Sequence, residues 1–172
     1  MFGYLKMVVI IVLLASIQQI WKRPIYLAFA LIFTFALFDD ALRVHERLGS
    51  RIVQALTLQP IGGLGAQDLG ELLVWTTVGV PLLAGAIAAA IGSPREDRYN
   101  GVLLLGLLAV LALFVVVADM VHVMQMSAFR GANTLFSMIE DGGEQVTLSL
   151  ICGLAILIRR ELRLRSGLVH AG

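Results

Sequence analysis

The sequence predicts an all-α, polytopic membrane bundle of five transmembrane helices, with the N-terminus outside and the C-terminus in the cytoplasm. Three observations predict it. Of the 172 residues, 59% are hydrophobic and 15% are charged, against roughly 45–50% and about 25% in an ordinary soluble domain. The mean hydropathy is +0.89. Apolar runs also recur at the length of about 20 residues that a hydrocarbon core about 30 Å thick requires. A single core in a chain of this size leaves too much surface in water to hide that excess. A soluble globular protein, a disordered chain and a nucleic-acid binder are therefore poor readings.

Five segments meet the length test within one domain spanning residues 1–172. The first covers about 2–20 and is broken only by Lys6, Gln18 and Gln19. A cleavable signal would use Ala15-Ser16, but the run is long enough to span and reads as a helix. The second covers about 24–47, with Pro24 in a first turn, where its missing N–H costs nothing. The third, fourth and fifth cover about 68–91, 101–126 and 136–158. Between the second and third, about 50–59, Ile52, Val53, Leu56 and Leu58 alternate with polar residues, as in a short helix lying in the interface. Pro60 is expected to end it, and Gly62, Gly63 and Gly65 to make a flexible turn that is either a connector or a lid.

Orientation follows from the basic residues. One side collects Lys22, Arg23, Arg95, Arg98, Arg159, Arg160, Arg163 and Arg165; the other holds Lys6, Arg43, Arg47, Arg51 and Arg130. The first side is expected to be cytoplasmic, most simply in a bacterial inner membrane. Of the twelve carboxylates, only Glu96, Asp97 and Glu161 fall there. The others cluster at the outer ends of four helices: Asp39, Asp40 and Glu46; Asp68 and Glu71; Asp119; Glu140, Asp141 and Glu144. His45 and His122 join them. Such a face attracts cations.

Depth separates surface acids from a site. Val146 to Ile158 is only thirteen residues, about 20 Å at 1.5 Å per residue, so the fifth span must begin near Ile139. That puts Glu140, Asp141 and Glu144 at or inside the hydrocarbon edge. Asp39 and Asp40 lie about 23 Å along their helix from Pro24, and Asp119 about 28 Å beyond Asn100. Ionisable groups at such depth cost a few kcal/mol each, and together demand mutual neutralisation by protons, arginines or a metal. Helical phase supports convergence: Asp39, Arg43 and Glu46 share a face of one continuous helix, as do Asp68 with Glu71, Asp119 with His122, and Glu140 with Glu144. His45 sits off that stripe and becomes usable only if its helix is rotated or bent. Asp40 is expected to pair with Arg47 or a neighbouring helix, and Gly142-Gly143 to kink the fifth helix or admit a neighbour.

Carboxylates and imidazoles from four helices match the ligand chemistry of carboxylate-bridged dimetal bundles, although the order and the Asp-for-Glu exchange differ. Glu71, Asp119, His122, Glu140 and Glu144, with His45, form the expected metal set, and Asp39, Arg43 and Glu46 the expected catalytic set. Mixed oxygen and imidazole donors suit Fe, Zn or Mn. Such a metal activates water or dioxygen, which points to a hydrolase or oxidoreductase acting on a lipid or quinone-like molecule. Two other classes stay open. The acids form a cation or proton relay in a transporter or channel component, although the inner helix halves are nearly all apolar. Or the cluster, with Arg43 and Arg47 pairing Asp39 and Glu46, only fixes packing in a noncatalytic accessory subunit of a larger complex.

The remaining features read blandly. Met120, Met124, Met126 and Met138 near His122 suit packing better than soft-metal binding, Cys152 is a buried and inert thiol, and His170 is a surface histidine. Trp75 and Tyr99 read as interfacial or packing aromatics, and Trp21 with Tyr26 as markers of the inner headgroup level. Ala84, Gly85, Ala88 and Ala89 mark close helix packing or a homomeric contact. No phosphate-binding loop, His-Glu-x-x-His pair, nucleophile elbow or redox cysteine pair is present.

Overall fold

The computed structural model describes residues 2–62, 64–125 and 133–169, with side chains described over 3–62, 64–114 and 142–166. All of the described secondary structure is helical apart from one isolated bridge between Ile61 and Leu64. In chain order the helices are α1 (Phe2–Trp21), α2 (Pro24–Leu42), α3 (Val44–Leu56), α4 (Ala66–Ile91), α5 (Arg95–Gln125) and α6 (Asn133–Val169). Four of them, over Gly3–Trp21, Pro24–Leu42, Ala66–Ile91 and Arg95–Phe114, are long and apolar enough to cross a membrane. That composition marks an integral membrane protein.

Helix α1 packs between α2 and α6, α5 lies on α6, and α4 bridges α2 and α3. The core is built where α1, α2, α5 and α6 meet. Ile10, Leu14 and Ile17 face Ile25, Tyr26, Phe29 and Phe33, with Leu104 and Leu111 from α5 and Leu148, Ile151, Ala155 and Ile158 from α6. Leu5, Val12, Leu31, Phe38, Leu72, Val80, Ile87, Leu113, Leu150 and Leu157 stay exposed around the bundle. So much apolar surface is intelligible only against an apolar solvent. Ala84, Gly85 and Ala88 are also exposed, while Ala89 packs against the core.

The joints follow local chemistry. Lys22 takes a left-handed conformation and its N–H closes α1 on the Gln18 carbonyl at 2.9 Å. Arg23 is then extended, as a residue before proline prefers, and Pro24 opens α2 as expected. At the opposite end Gly65 caps α4, and the Asp68 carboxylate accepts the Gly65 N–H at 2.9 Å. Asp68 thus neutralises a helix start.

The expected second span of 24–47 is not one helix. α2 stops at Leu42, Arg43 adopts φ 50°, ψ 50°, and α3 begins at Val44. From Arg43 onward the chain is too polar for hydrocarbon, with Arg43, His45, Glu46, Arg47 and Arg51 within nine residues, and α3 is amphipathic where α2 is apolar on every face up to Phe38. The helix expected at about 50–59 is α3 itself, six residues earlier. It ends at Leu56 on a left-handed Thr57 rather than at Pro60. Gly142-Gly143 lies inside an unbroken α6, with Gly143 against the Phe114 ring.

α3 folds back along α4 at a close crossing. A Cβ on Gly70 would lie 2.5 Å from the Gly49 carbonyl oxygen and 2.8 Å from Val53 Cγ2. Two facing glycines let the backbones meet, and Ser50 and Gln67 bond across the joint at 3.1 Å.

Candidate functional site

The break at Arg43 rests on Asp39. This carboxylate is only 2% exposed. Its Oδ1 accepts the backbone N–H of His45 at 2.8 Å, so a residue from the last turn of α2 satisfies a free donor in the first turn of α3. Its Oδ2 lies 2.8 Å from His45 Nδ1. With Asp39 ionised the carboxylate can only accept; Nδ1 is then the ring's donor, and a neutral ring leaves Nε2 as an acceptor. The imidazole, about one quarter exposed, is walled by the Trp75 ring at 6.3 Å, which meets Phe35 edge-on at 5.3 Å. The bend has brought His45 onto Asp39, the condition under which it becomes usable.

The same bend separates the stripe expected from a continuous helix. Arg43 is the left-handed joint, and it pairs with Glu46 at 3.5 Å on an exposed surface. Pairs of that kind contribute little. Glu71 accepts from Gln67 Nε2 at 2.8 Å, and the same amide reaches the Glu46 carbonyl at 3.1 Å. Glu71 is thereby tied to the α3–α4 crossing. Asp40 lies near Tyr4 of the neighbouring α1 and forms no ion pair with Arg47. Lys6 of α1 donates to the Gln145 backbone and side-chain oxygens at 2.9 and 2.8 Å, next to half-buried Glu144 on α6. The side chains of Asp119, His122, Glu140 and Asp141, and of the four methionines near His122, lie outside the described residues. Among the described residues, no three His, Cys, Asp or Glu side chains come together as a metal-binding group. What is assembled there is the Asp39–His45 pair.

A second buried cluster occupies the opposite, basic end. Asp97, 3% exposed, accepts the Tyr26 hydroxyl at 2.9 Å, and Asn100 Nδ2 donates to Tyr26 Oη at 3.3 Å. Arg23 faces the other Asp97 oxygen at 3.2 Å. Tyr26 is thus an interior anchor rather than a headgroup marker. Farther out, Arg165 bonds Glu161 at 2.6 Å and also Glu96. The Glu161 hydrogen bond, with both acids adding to it, raises the guanidinium above its ordinary pKa. Sequence reasoning missed this cluster because the Tyr26 and Asp97 positions are 71 residues apart. The available signal was a lone acid, Asp97, among the basic residues of that side.

A family model described as "Domain of unknown function (DUF8692)" matches residues 1–158. No curated protein and no solved structure matches the chain.

Proposed function

The chain belongs to the DUF8692 family, and we propose that it is a metal-dependent membrane enzyme whose site, at the acidic end, uses His45 as its best-oriented ligand. The observation that carries this reading is the 2.8 Å approach of His45 Nδ1 to a carboxylate that is itself buried. A carboxylate behind one ring nitrogen fixes the tautomer and leaves the other as a lone-pair donor, the usual support of metal-bound imidazoles. Glu71 and Glu144, with Asp119, His122 and Glu140, are the further ligands in this reading, and Fe, Zn or Mn the ions their donor set suits. When bound, such an ion activates water or dioxygen. Asp39 holds the imidazole, Glu46 at the mouth serves as ligand or base, and Trp75 and Phe35 keep an apolar wall beside the ring. A lipid or quinone-like substrate suits a site reached from between apolar helices. The proposal includes α6 as a fifth span, an outside N-terminus, a cytoplasmic C-terminus and a bacterial inner membrane, supported by the basic residues gathered at one end.

Elemental analysis of detergent-purified protein tests it. Near-stoichiometric transition metal, lost in His45→Ala and in His122→Ala variants that keep the parent elution profile, is the expected result. Metal-free parent protein of unchanged thermal stability contradicts it.

A noncatalytic, architectural role is favoured by a specific observation of its own, the hydrogen bond through which Asp39 caps α3. On that reading His45→Ala leaves partner binding and metal content untouched, while Asp39→Ala loosens α3. A relay across the membrane has less support. Between Asp39 and the Tyr26–Asp97 cluster α2 buries Phe29, Ala30 and Phe33, and the Thr34 hydroxyl is spent on the Ala30 carbonyl at 2.7 Å.

A further inference from the structure

Helix α3 differs in kind from α1, α2 and α4, because its polar and apolar residues are segregated on separate faces. Its Gly49 is buried against the Glu71 backbone of α4, so the opposite face of α3 looks away from the protein. By helical phase that outward face has two edges. Arg47, Arg51 and Gln54 follow one edge at i, i+4 and i+7, and all three are exposed. Leu48, Ile52 and Ala55 follow the adjoining edge, with Leu56 at its end; Leu48 and Leu56 are 40% and 59% exposed, so no part of the protein covers them. The neighbouring charges are engaged within the protein. Arg43 pairs with Glu46 at 3.5 Å, Asp39 holds His45, Asp68 accepts the Gly65 N–H, Glu71 accepts from Gln67, and Asp40 lies near Tyr4. Arg47 and Arg51 make no hydrogen bond or ion pair among the described residues. Like charges one helical turn apart repel, and an anion seated between them removes that repulsion.

We propose that the outward face of α3 binds a phospholipid of net negative charge, with Arg47 and Arg51 on its phosphate and Leu48, Ile52 and Leu56 along its acyl chains. A basic edge beside an apolar one is the arrangement of a helix lying in the plane of a membrane interface. The position agrees, because α3 leaves the end of a helix long and apolar enough to span, Pro24–Leu42. Guanidiniums present paired N–H donors that match two phosphate oxygens. A zwitterionic phospholipid offers the same phosphate but also a cation, which the two arginines repel, so net charge is what the pair selects. The inference is independent of the metal-site reading, since α3 turns His45 and Arg47 to different faces.

Quenching at a single site reads the preference directly. The full chain carrying Cys152→Ser and Gln54→Cys, with a fluorophore on position 54, is placed in phosphatidylcholine nanodiscs. Trace spin-labelled phosphatidylglycerol or spin-labelled phosphatidylcholine is then added as the quencher. The expected ratio of quenching by the glycerol lipid to quenching by the choline lipid is about fivefold or more, the effect of at least one guanidinium at an anionic headgroup. It falls toward one when Arg47→Gln and Arg51→Gln are combined, and it also falls at high salt, because exposed charges are screened. Both arginines are exposed, so the double variant should keep the parent elution profile. Arg160→Gln with Arg163→Gln, on α6, should leave the ratio unchanged, which separates a site on α3 from attraction by the protein's overall charge. Equal quenching by the two lipids, a preference that survives loss of both α3 arginines, or one lost equally in the α6 variant overturns the proposal.

Discussion

Asp39→Asn is the most informative single substitution, because it keeps volume and changes only the second oxygen of the carboxylate. In the parent, both oxygens accept at 2.8 Å, one from the His45 backbone N–H and one from the ring. An Asn side chain retains one acceptor. Its amide NH₂ then meets a donor, either the backbone N–H or Nδ1–H, and only a ring that moves its proton to Nε2 relieves the clash. A hydrogen bond to a charged group contributes about 1.5–3 kcal/mol. At about 2–4 °C per kcal/mol for a chain of this length, the melting temperature should fall by roughly 3–12 °C. Thermal unfolding in detergent measures that loss, and ¹⁵N NMR of labelled histidine reads the tautomer. The parent should show His45 protonated at Nδ1, and the variant at Nε2. An unchanged melting temperature together with an unchanged tautomer would refute the pairing on which the site depends.

Other substitutions test other joints. Gly70→Ala drives a methyl into the Gly49 carbonyl at 2.5 Å; backbone has to move, and a loss of about 1–3 kcal/mol in thermal unfolding is expected. Arg43→Gly should raise stability by up to about 1 kcal/mol, because the residue is left-handed and its exposed ion pair with Glu46 contributes little; a lowered melting temperature would show that Arg43 has a further partner. Tyr26→Phe strips a buried hydrogen bond from Asp97 and should cost about 1–2 kcal/mol by the same assay, without altering the metal content of the acidic end.

The apolar spans were legible because their signal is carried by composition and length, which need no partner. Pro24 at the first turn of α2 was legible for the same reason. The break at Arg43 was not. The residue there is neither Gly nor Pro, and the carboxylate that caps α3 belongs to the preceding helix, six positions before the N–H it satisfies. The usable clue was the change from the nearly apolar run 24–38 to polar, amphipathic sequence from Asp39 onward. That break also undoes the phase argument linking Asp39 to Arg43 and Glu46, and substitutes His45 for them. Lys6 with Gln145 and Tyr26 with Asp97 are long-range pairs, and no local periodicity encodes them.

The central claim is that His45, held by Asp39, supplies a nitrogen to a metal at the acidic end together with groups from α5 and α6. X-ray absorption at the edge of whichever metal copurifies measures this most directly. Two imidazole nitrogens among oxygen neighbours in the parent, reduced to one in a folded His45→Ala variant, is the result the account predicts. A metal shell without imidazole, or one unchanged by that substitution, would contradict it.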